Sequence, residues 1–189
     1  MYARSAMIER LMPSPLGHSL AGAIVGFSAT HFIRRTRPGL AVSNGLVLAC
    51  IAVAVLPDID LLYVEIHRTV THSFTAAVMI TIVAAAVTRQ VTGRIDWAIA
   101  AACGAALLSH MLCDWLAHDR NPPEGIQALW PFSDRWFISD WEVFRGTERR
   151  RLFSWATTRH NMITGARELL LLGPPAYLAW RMARGRRAG

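Results

Sequence analysis

The sequence predicts an all-α fold: a polytopic transmembrane helical bundle of four to five spans, with an extramembrane loop or helical insert at about 115–161. Three observations lead there. Of 189 residues, 53% are hydrophobic and 17% charged, with a mean hydropathy of +0.29; a soluble domain averages about 45–50% apolar and about 25% charged. Five apolar stretches punctuate the chain, near 19–33, 40–57, 74–88, 95–113 and 162–180. All 20 basic residues are arginine. They fall in short clusters between the apolar stretches ("IRRTR", "RGTERRR", "RMARGRR"), as basic flanks of membrane segments do.

The length suits a single domain over 1–189. The first apolar run, "SLAGAIVGFSA", follows Arg4 and Arg10 in the manner of a secretory signal. The basic stop "HFIRRTR" comes at once after it, so the run reads as a retained helix. A span takes about 20 apolar residues, within a range of about 17–25. The second and fourth stretches meet that alone, the first and third with flanking residues. The fifth is interrupted by Arg167, Glu168 and Pro174-Pro175, and spans, kinks or lies along the interface. Gly and Ala fill the runs, which lets helix backbones approach closely where lipid supplies no hydrophobic drive. Cys50, Cys103 and Cys113 lie in or beside apolar runs; their odd number and the lack of C-x-x-C argue against a disulfide framework. Between 115 and 161 acids, arginines and aromatics crowd together, "NPPEG" marks a turn, and "ALWPF" reads as an interfacial anchor.

Alternating spans place the ionisable residues. His18 enters the first helix; the second delivers Asp58, Asp60, His67 and His72; the fourth returns with His110 and Asp114. These candidate metal ligands therefore meet at one end of the bundle. The opposite end collects Arg34, Arg35, Arg37, Arg89 and Arg94, which makes it cytoplasmic by the positive-inside rule and the site extracytoplasmic, although the 115–161 loop has seven arginines on the site's side. His110 and Asp114, four apart, share a helix face. "PDID" offers two carboxylates, and Pro57 ends the second helix so that both can turn to one pocket. Thr71 or Ser73 suits a helix cap. Mixed imidazole and carboxylate donors suit zinc, manganese or iron, as one or two ions.

Each group also has an ordinary reading: His18 as a hydrogen-bonded core residue, Asp58 and Asp60 as caps, His110 with Asp114 as a buried pair. Ionisable groups near hydrocarbon are costly and functional by default, which favours the metal. His31, His118 and His160 read as structural. Arg68 either clamps an anionic substrate group or anchors at the headgroups. The +7 charge lacks zinc-finger spacing or aromatic-basic interleaving, so no nucleic acid is expected.

Through "GHSLAGAIVG", "LPDIDLL", "HRTVTHS", "SHMLCDW" and "WPFSDRWF", about the first 140 residues resemble the YdjM-like family of inner-membrane-bound metal-dependent hydrolases. That resemblance implies a multi-pass protein of the bacterial inner membrane with His18, Asp58, Asp60, His67, His72, His110 and Asp114 as ligands or catalytic residues. A looser likeness is to zinc-dependent phospholipases C, which also order an early His, an Asp, a later His and H-x-x-x-D. Their further H-x-x-x-E is missing here, since Thr164 stands four residues after His160, so a three-metal site is not expected. The function expected is hydrolysis of a phosphoester in a lipid or lipid-linked substrate through a metal-activated water, with Asp60 or Asp114 as general base and Arg68 steadying the phosphate. The alternative is a non-catalytic metal-binding membrane protein with a structural or regulatory partner. A transporter would spread its ionisable groups through the membrane depth, and these cluster at one end.

Overall fold

The computed structural model describes residues 13–37, 44–62, 67–119, 123–148 and 153–185. Five α-helices account for most of them: α1 (Pro15–Thr36), α2 (Gly45–Val55), α3 (Phe74–Thr92), α4 (Trp97–Trp115) and α5 (Trp155–Arg184). Among the described residues there is no strand, only the isolated bridges Ala117–Phe144 and Ile126–Phe137. The all-α expectation stands. Three helices, α1, α3 and α4, are long and apolar enough to cross a membrane. The described part of the second apolar stretch has 11 residues of α-helix and then a 3-10 turn, Leu56–Leu62.

Local chemistry sets the helix ends. Ser14 caps α1 by accepting from the Gly17 amide, with Pro15 opening the helix. Ser73 caps α3 through the Ala76 amide at 3.1 Å, and Gly93, at φ 75°, ends it in the left-handed conformation that glycine tolerates. Asp96 caps α4 through the amides of Ala98 and Ile99, and its other oxygen takes Arg37 at 2.7 Å. That pair ties the end of α1 to the start of α4.

Helix α1 is central, packed on α2, α4 and α5, while α3 lies outside against α4. Small residues make the contacts: a Cβ on Gly22 would come within 2.7 Å of Ala54 Cβ and the Cys50 carbonyl, and one on Gly104 within 2.1 Å of Thr81 Oγ1. The outer surface is apolar. Val78, Met79, Ile82, Val83, Val87 and Val91 of α3 are each at least half exposed, an arrangement suited to lipid and not to water.

Helix α5 runs unbroken through Pro174 and Pro175 and lies antiparallel along α1. Glu168 accepts from the Ser14 amide at 2.6 Å near one end; at the other, His31 Nδ1 meets the Met182 carbonyl at 2.8 Å and Arg34 donates to that of Ala183 at 2.6 Å. Its polarity is inverted, with Thr157, Thr164 and Glu168 buried and Leu169, Leu170 and Leu178 exposed. Of the three expectations for this stretch, lying along the interface is replaced by packing beside α1, where Glu168 finds its partner. The insert is held by main-chain bonds: His118 and Ser139 amides donate to the Phe144 and Trp115 carbonyls, and Gln127 and Phe74 amides to those of Arg68 and Ala128.

Candidate metal centre

The centre is assembled from the starts and ends of four elements. His18 stands in the first turn of α1, Asp58 and Asp60 on the 3-10 turn after α2, His67 and His72 in the loop before α3, and His110 and Asp114 in the last turns of α4. Except for Asp58, all are at most 2% exposed. Residues up to 96 positions apart in sequence have met.

Three electron-rich atoms converge at its middle. His110 Nε2 lies 2.9 Å from His72 Nε2, and Asp114 Oδ2 lies 3.1 Å from each. The far nitrogens define the tautomers. His110 Nδ1 is 2.7 Å from the Ala54 carbonyl; a carbonyl only accepts, so Nδ1 carries the proton and Nε2 keeps its lone pair. His72 Nδ1 faces Thr71 Oγ1 at 2.9 Å and Asp60 Oδ2 at 3.2 Å. The Thr71 hydroxyl donates to Asp60 and can accept from His72, which leaves the His72 Nε2 lone pair pointing inward as well. Two lone pairs and a carboxylate oxygen at such distances need a proton or a cation among them. Adjacent donors of an octahedral ion at about 2.1 Å stand about 3.0 Å apart, and those of a tetrahedral one about 3.4 Å, so the set fits a metal with little adjustment.

His18 stacks on His110 at 3.9 Å between ring centroids and brings Nε2 to 3.6 Å from Asp114 Oδ1. Asp58 approaches His110 Nε2 at 3.9 Å. His18, His110 and Asp114 form one potential ligand group and Asp58, His72 and His110 another. His110 belongs to both and offers only Nε2, to one ion. Asp114, with one oxygen toward His72 and His110 and the other toward His18, is placed to bridge if there are two.

Asp60 and His67 stand one layer out. Asp60 accepts from His67 Nδ1 at 2.5 Å, from the Arg68 amide at 3.2 Å and from Thr71. Burial alone would push its carboxyl up, but the bonds from His67, His72 and Thr71 outweigh it and hold the group well below the usual carboxylate range. Burial, partly offset by Asp60, keeps the His67 imidazole below its ordinary value. For His72, burial is outweighed by Asp114 and Asp60, which push it up to about 9. An imidazole held by a carboxylate on one nitrogen and aimed inward with the other is the usual support of a metal ligand.

Arg68 adopts a left-handed φ of 63°, is 1% exposed and pairs with Asp119. Such burial does not suit a headgroup anchor, and that expectation is replaced by a buried ion pair. His118 pairs with Glu142 at 2.9 Å, and His160 Nε2 meets the Gly146 carbonyl at 2.8 Å. Sequence reasoning did not single out Asp119 or Glu168. The latter is fully buried against the first turn of α1, where a Cβ on Gly17 would lie 2.9 Å from Glu168 Cδ. Its signal was present as a polar stripe, Thr157, Asn161, Thr164 and Glu168, recurring every three or four residues along one helix face.

No curated protein and no solved structure matches the chain. The family described as YdjM inner membrane protein matches residues 12–188. A bundle with apolar outer helices and a match over nearly its whole length thus agree: the chain belongs to the YdjM inner membrane protein family.

Proposed function

We propose that the protein is a membrane-bound metal-dependent hydrolase acting on a phosphoester of a lipid or lipid-linked molecule. The observation that carries this reading is the convergence of His72 Nε2, His110 Nε2 and Asp114 Oδ2 within 2.9–3.1 Å, supported by outer partners on both histidines. A divalent cation held there, zinc, manganese or iron by its donors, would supply Lewis acidity toward a phosphoryl oxygen and toward water. The chain's own groups do the rest. Asp58 is the least deeply buried member, although both of its carboxylate oxygens are enclosed. Asp60 is saturated by donors and orients His67 and His72; Asp114 would hold the cation, and Asp58, beside His110 Nε2 at 3.9 Å, would take the proton from water. Arg68, engaged by Asp119, holds the loop of His67 and His72 in place.

A lipid substrate is favoured by a nearly all-apolar cleft of about 440 Å³ beside the turn of α4 that carries His110 and Asp114. Phe74, Leu108, Met111, Trp115, Ile126 and Phe137 are among its lining residues, and an acyl chain fits such walls. A second reading, a non-catalytic metal site, draws on four donors (His18, His72, His110 and Asp114) that are almost fully buried, as in closed structural sites.

Elemental analysis of detergent-purified protein should find at least one transition metal per chain, lost in His110→Ala. Hydrolysis of phospholipids and model phosphoesters should cease in chelator and in Asp58→Ala. Metal retention with no turnover of any phosphoester would move the assignment to the second reading, and metal-free wild type would defeat both.

A further inference from the structure

A second polar cavity lies away from the metal centre. The insert and the first turns of α5 enclose about 280 Å³ between His118, Glu142, Arg145, Gly146, His160 and Arg167. Two guanidinium groups and two imidazoles face one carboxylate, and that carboxylate is already matched by His118 Nδ1 at 2.9 Å. The walls are fixed by main-chain ties. His160 donates to the Gly146 carbonyl, Asn161 clasps the amide and carbonyl of Glu148 at 2.8 Å each, and Arg167 reaches the Glu142 carbonyl at 3.4 Å. Among the described residues neither Arg145 nor Arg167 has a carboxylate partner, and both stand exposed at the mouth. Glu142 is held at φ 46°, a strained conformation of the kind that collects at ligand sites.

The surroundings indicate where the ligand comes from. Trp141, Phe153 and Trp155, at 77%, 104% and 75% exposure, neighbour the cleft in sequence, and aromatics left bare in this way settle at the headgroup level of a bilayer. Glu168 meets the cap of α1, so Arg167, one residue before it, sits at the height where α1 begins. The cleft therefore opens at the same end of the bundle as the His/Asp cluster. Arginine forks match phosphate oxygens two at a time.

We propose that this cleft binds the phosphate of an anionic membrane lipid, with Arg145 and Arg167 as its ligands and His118 and His160 as its polar walls. The site is independent of the hydrolase reading and of any metal.

The test uses the full chain in detergent, titrated with short-chain phosphatidylglycerol, phosphatidylcholine and inorganic phosphate. Phosphatidylglycerol should bind roughly tenfold more tightly than phosphatidylcholine. R145Q/R167Q should lose the preference, R145K/R167K should keep part of it, and R89Q/R94Q at the other end should leave it unchanged. A folded R145Q/R167Q, judged by helical content and thermal unfolding, that retains the full preference overturns the proposal. So does displacement of the lipid by equimolar inorganic phosphate, which would mark a site for soluble phosphate. Should the double variant not fold, a photoreactive phosphatidylglycerol headgroup on wild-type protein decides: labelling within 140–170 supports the assignment, and labelling confined to other segments refutes it.

Discussion

Asp60 is the residue at which one substitution separates holding a metal from orienting what holds it. Asp60→Asn removes the charge and one of the two oxygens that face His67 and His72 but no inward-facing donor, so metal should still bind, about 10- to 100-fold more weakly. Asp114→Asn should abolish binding, with both read by competition against a chelating dye. His72 gives the pH dependence. In metal-free protein its folded value of about 9 lies above the ordinary 6.5, so its contribution to stability is complete below about 6.5 and lost as pH rises through 9. The thermal midpoint of the metal-free protein should fall across that interval, and His72→Gln should flatten the slope. The cluster's membership was largely legible from sequence: His18, Asp58, His72, His110 and Asp114 share one place because helices of alternating direction return them to it. The direction of Asp60 was not. "PDID" suggests two carboxylates for one pocket, but the segment is a 3-10 helix, where residues two apart diverge by about 120°. Asp58 faces His110, and Asp60 faces His67.

At the scale of the element, glycine contacts set how closely helices lie. Gly22→Ala would push a methyl into the backbone of α2 and should cost about 1–3 kcal/mol, as overpacking does. Gly165→Ala, whose nearest neighbour is Leu16 Cδ2 at 3.9 Å, should be neutral or stabilising by a few tenths to about 1 kcal/mol. Thermal unfolding in detergent compares them. The small-residue runs showed in advance that backbones would touch, and composition located four of the five helices to within a few residues. For α5 composition misled, because Arg167, Glu168 and the prolines read as interruptions. The face, and not the average, was the informative quantity: polar residues line up toward α1 and the insert while leucines turn outward.

Over the whole molecule, arginines 34, 35, 37, 89 and 94 occupy the end opposite the His/Asp cluster. If that end is cytoplasmic, a cysteine at Arg94 in a cysteine-free background should resist a membrane-impermeant maleimide in intact cells, and one at Ser133 should react. The reverse pattern would invert the orientation while leaving the chemistry of the centre untouched. Pairing of distant ends was readable because each apolar run reverses direction; the folding of the insert was not, since irregular chain held by main-chain bonds leaves no period in the sequence. The bond between Ser14 and Glu168 joins positions 154 residues apart and has a bearing on biogenesis. Until the ribosome has made the chain through Glu168, the cap of α1 lacks its carboxylate and that carboxylate lacks the Ser14 amide. His18 lies one turn beyond that cap, so the surroundings of the cluster are complete only when α5 has docked on α1.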